Sequence, residues 1–330
     1  MKLQQLKYLI AIEDNDLSIS KAAEKIFTSQ PGISKQLRLL EEELDCQIFS
    51  RNGKQLVEIT PLGREIIERA RNILQEVNNI KRLSGEKSLA TNNITISLAT
   101  TQTQAKYVLP SVFGQFHKIY KSLKIEIEQG STEQIIDLLS KDEVDFAIVS
   151  GNLSLPSDIL KIPCYQWHRL IIFPLDHPLG ELKKITLSDI AKYPLITYNM
   201  KSKQKSSLMA AASAENLQLD IVFTSQDADV IKTYVRNGMG VGIIASMAFD
   251  PTTDTDLIGY TTKEILDRST TWLTFKKGTF IPTYMKDFIQ IFAPHLSHEI
   301  INKYLSKDND SDKSEQEDIN QLPIHQQWDI

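Results

Sequence analysis

The chain has 330 residues, 41% of them hydrophobic, which exceeds one ordinary domain and supplies apolar side chains for two or three cores. Its net charge of −5 gives no hint of nucleic acid for the chain as a whole, but the charge is unevenly spread: residues 1–90 carry 14 basic and 13 acidic side chains, and the remainder 23 and 29. The 2 cysteines, Cys46 and Cys164, match neither a disulfide framework nor a zinc spacing, and suit small buried side chains in a reducing cytoplasm.

Residues 3–14, LQQLKYLIAIED, space Leu3, Leu6, Leu9, Ile10 and Ile12 as a helix does. Acidic residues follow YLIAI at once and no small-residue cleavage site appears, so no signal peptide is expected. No segment approaches the length of a membrane span. Ser18 or Ser20 opens a second short helix through Ile26, with Ala22, Ala23 and Ile26 turned inward. TSQPGISKQLRLLEEEL, residues 28–44, then places Ile33, Leu37, Leu40 and Leu44 at spacings of 4, 3 and 4, one face of a helix. Thr28 or Ser29 can cap it, and Pro31 fits a first turn where its missing N–H would have had no partner. The opposite side carries Gln30, Ser34, Lys35 and Arg38. Three short helices, the last two joined by a tight turn, predict a helix-turn-helix over about residues 19–38.

CQIFSRNGKQLVEIT supplies two β-prone runs around Asn52-Gly53, the strongest short hairpin signal, and a hairpin here is a wing. Residues 1–60 are therefore expected to form a mostly α winged helix-turn-helix. Thr60-Pro61 starts a long helix, Thr as cap and Pro at the first position. Ile66, Ala70, Ile73, Val77 and Ile80 run at spacings of 4, 3, 4 and 3, with Ile67 and Leu74 alongside. A strict period of 3.5 favours helix pairing over a helix lying on its own domain. Residues 61–92 are read as a linker and dimerisation helix with a hinge.

From residue 93 strand-like and helical runs alternate, which predicts an α/β region with mostly parallel sheets over 93–306. Two groups of strands suggest two lobes, one of residues 93–163 with 270–296 and one of residues 168–266. Residues 307–330 are polar, acidic and without periodicity, and are read as a disordered tail. GMGVG, residues 238–242, brushes a dinucleotide fingerprint but follows a helix and lacks the spacing. No Walker loop, nucleophile elbow or metal-spaced His/Cys set occurs, and His168, His177 and His295 have no evident partner. No enzyme, cofactor or metal is expected. A transport solute-binding protein would fit residues 93–306 but not the helices before them.

The stretch AAEKIFTSQPGISKQLRLLEEELDCQIFSRNGKQLVEITPLG strongly resembles the LysR-type transcriptional regulators. Ala22-Ala23, Ser29-Gln30-Pro31, Ile33-Ser34, the Leu-Glu-Glu-Leu-like helix end, Phe49-Ser50-Arg51 and Thr60-Pro61 with Gly63 carry the resemblance. ATTQTQAKYVLP, PCYQWHR, DADVIKTYVRNGMGVGIIASMAFDP and YMKDFIQIFAPHL extend it to the branch that activates sulfur assimilation and cysteine biosynthesis. The resemblance implies a two-lobed effector domain like that of periplasmic binding proteins. It also implies double-stranded promoter DNA as partner, a homodimer through the linker helix, usually a homotetramer, and RNA polymerase as a candidate contact.

In that reading Gln30 and Ser34 face base edges, Lys35 and Arg38 reach phosphates or bases, and helix N–H groups near Ser29 and Gln30, beside Pro31, point at a phosphate. Wing residues Arg51 and Lys54 meet the flanking backbone or minor groove. The expected effector is sulfate, thiosulfate or O/N-acetylserine. Thr101, Thr103, Gln104, Ser131 and Ser150 are its contacts at strand ends of the first lobe, and Trp167 lies between the lobes. In the second lobe MKSKQKS, residues 200–206, departs from the family's Gly- and Thr-containing segment, with Lys203 where a threonine is expected.

Overall fold

Ser18 and Ser29, rather than their neighbours, start the second and third helices. In the computed structural model α1 (Leu3–Asp14), α2 (Ile19–Lys25) and α3 (Gln30–Glu43) pack together. The Lys21 N–H donates to Ser18 Oγ and the Gly32 N–H to Ser29 Oγ, both at 3.3 Å. The structure describes residues 1–53, 55–87, 95–151, 155–199, 207–306, 319 and 321–325; Lys54 and segment 200–206 with Lys203 lie outside these residues. Leu6, Leu9, Ile12, Ala22, Ala23, Ile33, Leu37 and Leu40 form one buried cluster with Ile48 and Phe49. Leu44, expected on the same face, is exposed: α3 ends at Glu43 and the backbone turns left-handed at Asp45.

The wing is an antiparallel hairpin of β1 (Phe49–Asn52) and β2 (Gln55–Ile59). The long helix α4 (Pro61–Lys87) is seated on its base. The Thr60 hydroxyl donates to the Gln47 carbonyl at 2.8 Å and accepts the Gly63 N–H at 2.9 Å. A Cβ on Gly63 would lie 2.1 Å from the Ile48 carbonyl oxygen, so the helix approaches the wing as closely as it does only because this position has no side chain. Arg71 fastens α4 to α1 through Glu13, at 2.7 Å, and Asp14. The apolar seam of α4 is divided. Ile67 and Ala70 are buried in the helix-turn-helix core, and Ile66 and Leu74 pack half-buried against it, while Ile73, Ile80 and Leu83 are exposed. The seam therefore does not serve helix pairing alone, because its first half completes the chain's own core.

A second set of elements begins with β3 (Thr95–Thr100), a wide π-helical turn over Gln104–Val108, and α5 (Leu109–Ile119). It continues with β4 (Lys124–Gln129), α6 (Thr132–Ser140), β5 (Phe146–Ser150) and β6 (Ile159–Trp167). After His168 the chain enters the second lobe with β7 (Arg169–Pro174), α7 (Leu187–Ile190), β8 (Leu195–Tyr198), α8 (Ser207–Ala214), β9 (Ile221–Ser225), α9 (Ala228–Arg236), β10 (Val241–Ala245) and β11 (Leu257–Thr261). It returns as β12 (Ser269–Lys276), α10 (Thr283–Phe292) and α11 (His298–Ser306). The first sheet runs β4-β3-β5-β12-β6 and the second β11-β7-β10-β8-β9.

Each sheet has two parallel and two antiparallel pairings, so the sheets are mixed rather than mostly parallel. The crossing strands are the cause: β7 and β12 arrive from the other lobe and run against their neighbours. The first-lobe sheet extends to Trp167, beyond the expected limit at 163. Phe288 of α10 packs against Phe113, Phe116 and Phe146 at centroid distances of 5.3–5.6 Å, which returns this helix to the first lobe. GMGVG is a packing turn from α9 into β10, where a Cβ on Gly240 would meet the Pro194 carbonyl at 2.3 Å.

The tail is not structureless throughout. Gln166 of β6 pairs in parallel with Ile324, because β6 is an edge strand with hydrogen-bonding groups to spare. By contact density the chain divides into two units, Met1–Ser88 with Gly278–Pro282 and Leu89–Lys277 with Thr283–Ile330. Among the described residues no helix is long and apolar enough to cross a membrane.

Gly63→Ala is expected to lower stability by roughly 1–3 kcal/mol, the usual cost of overpacking, because its Cβ meets backbone that cannot swing away. Gly114→Ala in α5, where an added Cβ meets nothing within 4 Å, is expected to raise the melting temperature slightly. Differential scanning calorimetry of the two variants checks the contrast.

Candidate DNA-binding and effector sites

The N-terminal end and outer side of α3 form a polar edge. Gln30 donates to Ser34 Oγ at 3.2 Å, and Gln30, Pro31, Lys35 and Arg38 are exposed. Arg38 pairs with Glu42 one turn on at 2.7 Å, which raises its pKa. With its side chain 77% exposed, that pair is solvent-screened and exchangeable. Arg51 is held differently. Its guanidinium donates to Glu41 Oε2 at 2.7 Å, and the other oxygen of Glu41 accepts the Ile48 and Phe49 N–H groups at 3.0 and 3.3 Å. Arg51 thus braces the base of the wing as well as standing on its outer strand. Ser29 is committed to capping.

In the second unit a cavity of about 560 Å³ lies between the two sheets. Thr101, Thr103, Gln104, Ser131, Ser150 and Trp167 all line it, so six expected effector contacts share one space. A buried hydroxyl organises them. Thr271 Oγ1 accepts from Trp167 Nε1 at 3.1 Å and from Gln104 Nε2 at 3.3 Å, and lies 3.0 Å from the Ser150 hydroxyl. The Tyr165 hydroxyl fixes the other end of the Gln104 amide, donating to Oε1 at 2.6 Å. Ser131 lines the cavity but spends its polar groups on α6, in a reciprocal cap with Gln134. Trp167 is both buried and cavity-lining.

The second lobe contributes Arg169, Tyr198, Asn199, Gln226 and Ala245. Arg169 is the informative one. Its guanidinium is largely buried beside the Trp167 ring, 5.3 Å from the centroid, and Nη1 has no hydrogen-bond partner. Burial depresses its pKa, with only the Tyr198 hydroxyl acting the other way. Around the cavity the lobes are tied together: Gln102 donates to Asp227 at 2.6 Å, the Tyr107 hydroxyl to Asp229 at 2.5 Å, and Lys106 pairs with Asp229. Lys232 is buried between Asp229, at 2.9 Å, and Asp254, at 3.0 Å. Among the described residues no group of three or more His, Cys, Asp or Glu could hold a metal ion.

Residues 3–64 match the family described as bacterial regulatory helix-turn-helix protein, lysR family, and residues 91–297 match the LysR substrate binding domain. The chain belongs to the LysR family. This LysR regulator is 44% identical over 303 residues to the HTH-type transcriptional regulator CysB of Haemophilus influenzae, covering 92% of the chain and 93% of that protein. It is 35% identical over 312 residues to the HTH-type transcriptional regulator Cbl of Escherichia coli, covering 94% and 98%. The crystal structure of the cofactor-binding domain of Cbl superposes with a TM-score of 0.62 at 34% identity, covering 66% of the chain and 95% of that domain. These relatives are transcriptional regulators, and the LysR regulator is one by descent rather than an enzyme.

Sequence reasoning about this LysR regulator missed Arg169 and Thr271. The signal for Arg169 lay in PCYQWHR, where a cation stands two positions after a tryptophan in an extended run. Thr271 gave none: in STTWLTFKKG it reads as one β-branched strand residue among several. His177, expected without a partner, accepts the Leu179 N–H on Nδ1 at 3.2 Å.

Glu41→Ala strands two amides and Arg51 at once, and is expected to destabilise the first unit by about 1–3 kcal/mol. Arg51→Ala, which leaves the two amides satisfied, is expected to cost less. Thermal melts of both variants decide whether the wing base rests on the carboxylate.

Proposed function

We propose that this LysR-family protein regulates sulfur-assimilation and cysteine-biosynthesis genes, binding promoter DNA as a dimer and answering to a small sulfur-related anion or acetylserine between its lobes. The observation that carries the anion reading is Arg169. A largely buried guanidinium with an unmatched N–H is costly, and a negatively charged ligand group in the adjoining cavity offsets that cost. Thr101 and Thr103 offer neutral hydroxyl donors from the first lobe, a mix suited to oxyanions. The volume leaves room for an acetylated amino acid beside a bare tetrahedral anion. Likeness to CysB and Cbl over more than nine-tenths of the chain supports the pathway.

For DNA, Gln30 and Ser34 read base edges, and Lys35, Arg38, Arg51 and Lys54 hold the phosphates. The exposed stripe of Ile73, Ile80 and Leu83 on α4 supports pairing of two chains through this helix. Two-fold symmetry then sets two recognition helices on a repeated site. Pairing of dimers into a tetramer and a contact with RNA polymerase complete the reading, in the cytoplasm and without a membrane partner.

Arg38→Ala is expected to weaken promoter binding roughly tenfold or more in a salt-controlled gel shift while leaving the melting temperature unchanged. The parent footprint should cover two related half-sites; a single non-repeated half-site contradicts the dimer. Arg169→Gln is expected to abolish the heat of binding of N-acetylserine, thiosulfate and sulfate in calorimetry. Parent protein that binds none of them at millimolar concentration removes the effector class proposed here.

A further inference from the structure

The C-terminal segment holds on to the first lobe by three separate contacts. Ile319 packs against the buried cluster of Ala99, Ile135, Val149 and Trp272. The Leu322 N–H donates back to the Ile319 carbonyl at 3.2 Å, turning the chain towards β6. There both backbone groups of Gln166 are engaged: its N–H donates to the Pro323 carbonyl at 2.9 Å and its carbonyl accepts the His325 N–H at 2.7 Å. Pro323 is used only as an acceptor, the one backbone role a proline can fill. The His325 ring then lies 4.9 Å from the ring of Tyr165, with Nδ1 buried and unpartnered.

Tyr165 connects this attachment to the cavity. Its ring contacts those of His325 and Phe292, the latter at 5.5 Å, and its hydroxyl donates to Gln104 Oε1 at 2.6 Å. Gln104 lines the cavity and shares Thr271 with Trp167 and Ser150. A side chain held by two neighbouring rings and a hydroxyl bond has little freedom, so its hydroxyl stays where the amide needs it. We infer that residues 319 and 321–325 form an intramolecular strap on the edge of β6, which sets effector affinity by holding Tyr165 against Gln104. The ligand in this inference rests on the reading proposed above; the docking of the strap does not.

The test uses the full-length protein and three variants. His325→Pro removes the N–H that closes the bridge together with the ring, His325→Ala keeps the N–H and removes the ring, and His325→Phe keeps both. Amide exchange at Gln166 reports docking, and calorimetry with N-acetylserine, thiosulfate and sulfate reports affinity. In His325→Pro the Gln166 amide is expected to exchange roughly tenfold faster or more. Affinity for the probe that binds is expected to fall about threefold to tenfold in His325→Pro and His325→Ala, with recovery in His325→Phe. Parent-like exchange at Gln166 in His325→Pro overturns the strap. Parent-like affinity in both the Pro and Ala variants overturns its coupling to the cavity. Where no probe binds the parent, faster Gln166 exchange in His325→Pro upholds the strap and the effector class alone falls.

Discussion

Trp167, His168 and Arg169 carry the chain directly from one sheet into the other, β6 ending at the first and β7 beginning at the last, and most of the effector region follows from that continuity. Side chains two apart in extended backbone point the same way. Trp167 and Arg169 accordingly both line the cavity, one closing β6 and the other opening β7, while His168 between them is buried elsewhere with neither ring nitrogen partnered. The second crossing is tied to the first: Thr262 donates through both its N–H and its hydroxyl to the Arg169 carbonyl, at 3.2 and 2.8 Å. The Ser246 N–H holds the His168 carbonyl at 2.9 Å. An indole and a guanidinium thus enter the cavity as a fixed pair, and the hydroxyl of Thr271 aligns the amide of Gln104 and the indole N–H against it.

The winged unit rests on a comparable economy of polar groups. Glu41 stands in a run of three glutamates on α3, and its two oxygens serve two backbone amides and one arginine. Ser29 and Thr60 each begin a helix, and Thr60 also bonds backwards to the carbonyl of Gln47, so cap and wing are joined by one hydroxyl. What remains outward on α3 is a short row of amide, hydroxyl and cationic groups whose strongest partner is an exposed carboxylate.

The local elements of this unit could be read from spacing and punctuation alone, since the helix faces, the Asn52-Gly53 hairpin and Thr60-Pro61 are short-range signals. The limits appear where a residue serves two masters. The period in α4 was legible, but not that Ile67 and Ala70 would be taken by the chain's own core and Ile73 and Ile80 left outside. In the second unit the hydroxyl-rich strand ends at Thr101 and Ser150 were visible because strand, turn and helix follow each other in sequence. Arg169 and Thr271 meet them only through pairing between β12 and β6, a contact 104 residues long in the Trp167–Thr271 bond, which no local pattern encodes. At residues 319 and 321–325 the tail departs from its composition for the same reason: a polar segment cannot build a core, yet an open strand edge accepts it.

The chemistry of the cavity wall has a consequence for what can disturb it. Amides, hydroxyls, a phenol, an indole, one guanidinium and the exposed carboxylate of Glu133 make up its polar surface, and no histidine or cysteine is among the described residues that line it. Groups of these kinds offer no thiol to an oxidant. A cell whose oxidant load drifts would leave these lining groups chemically unchanged.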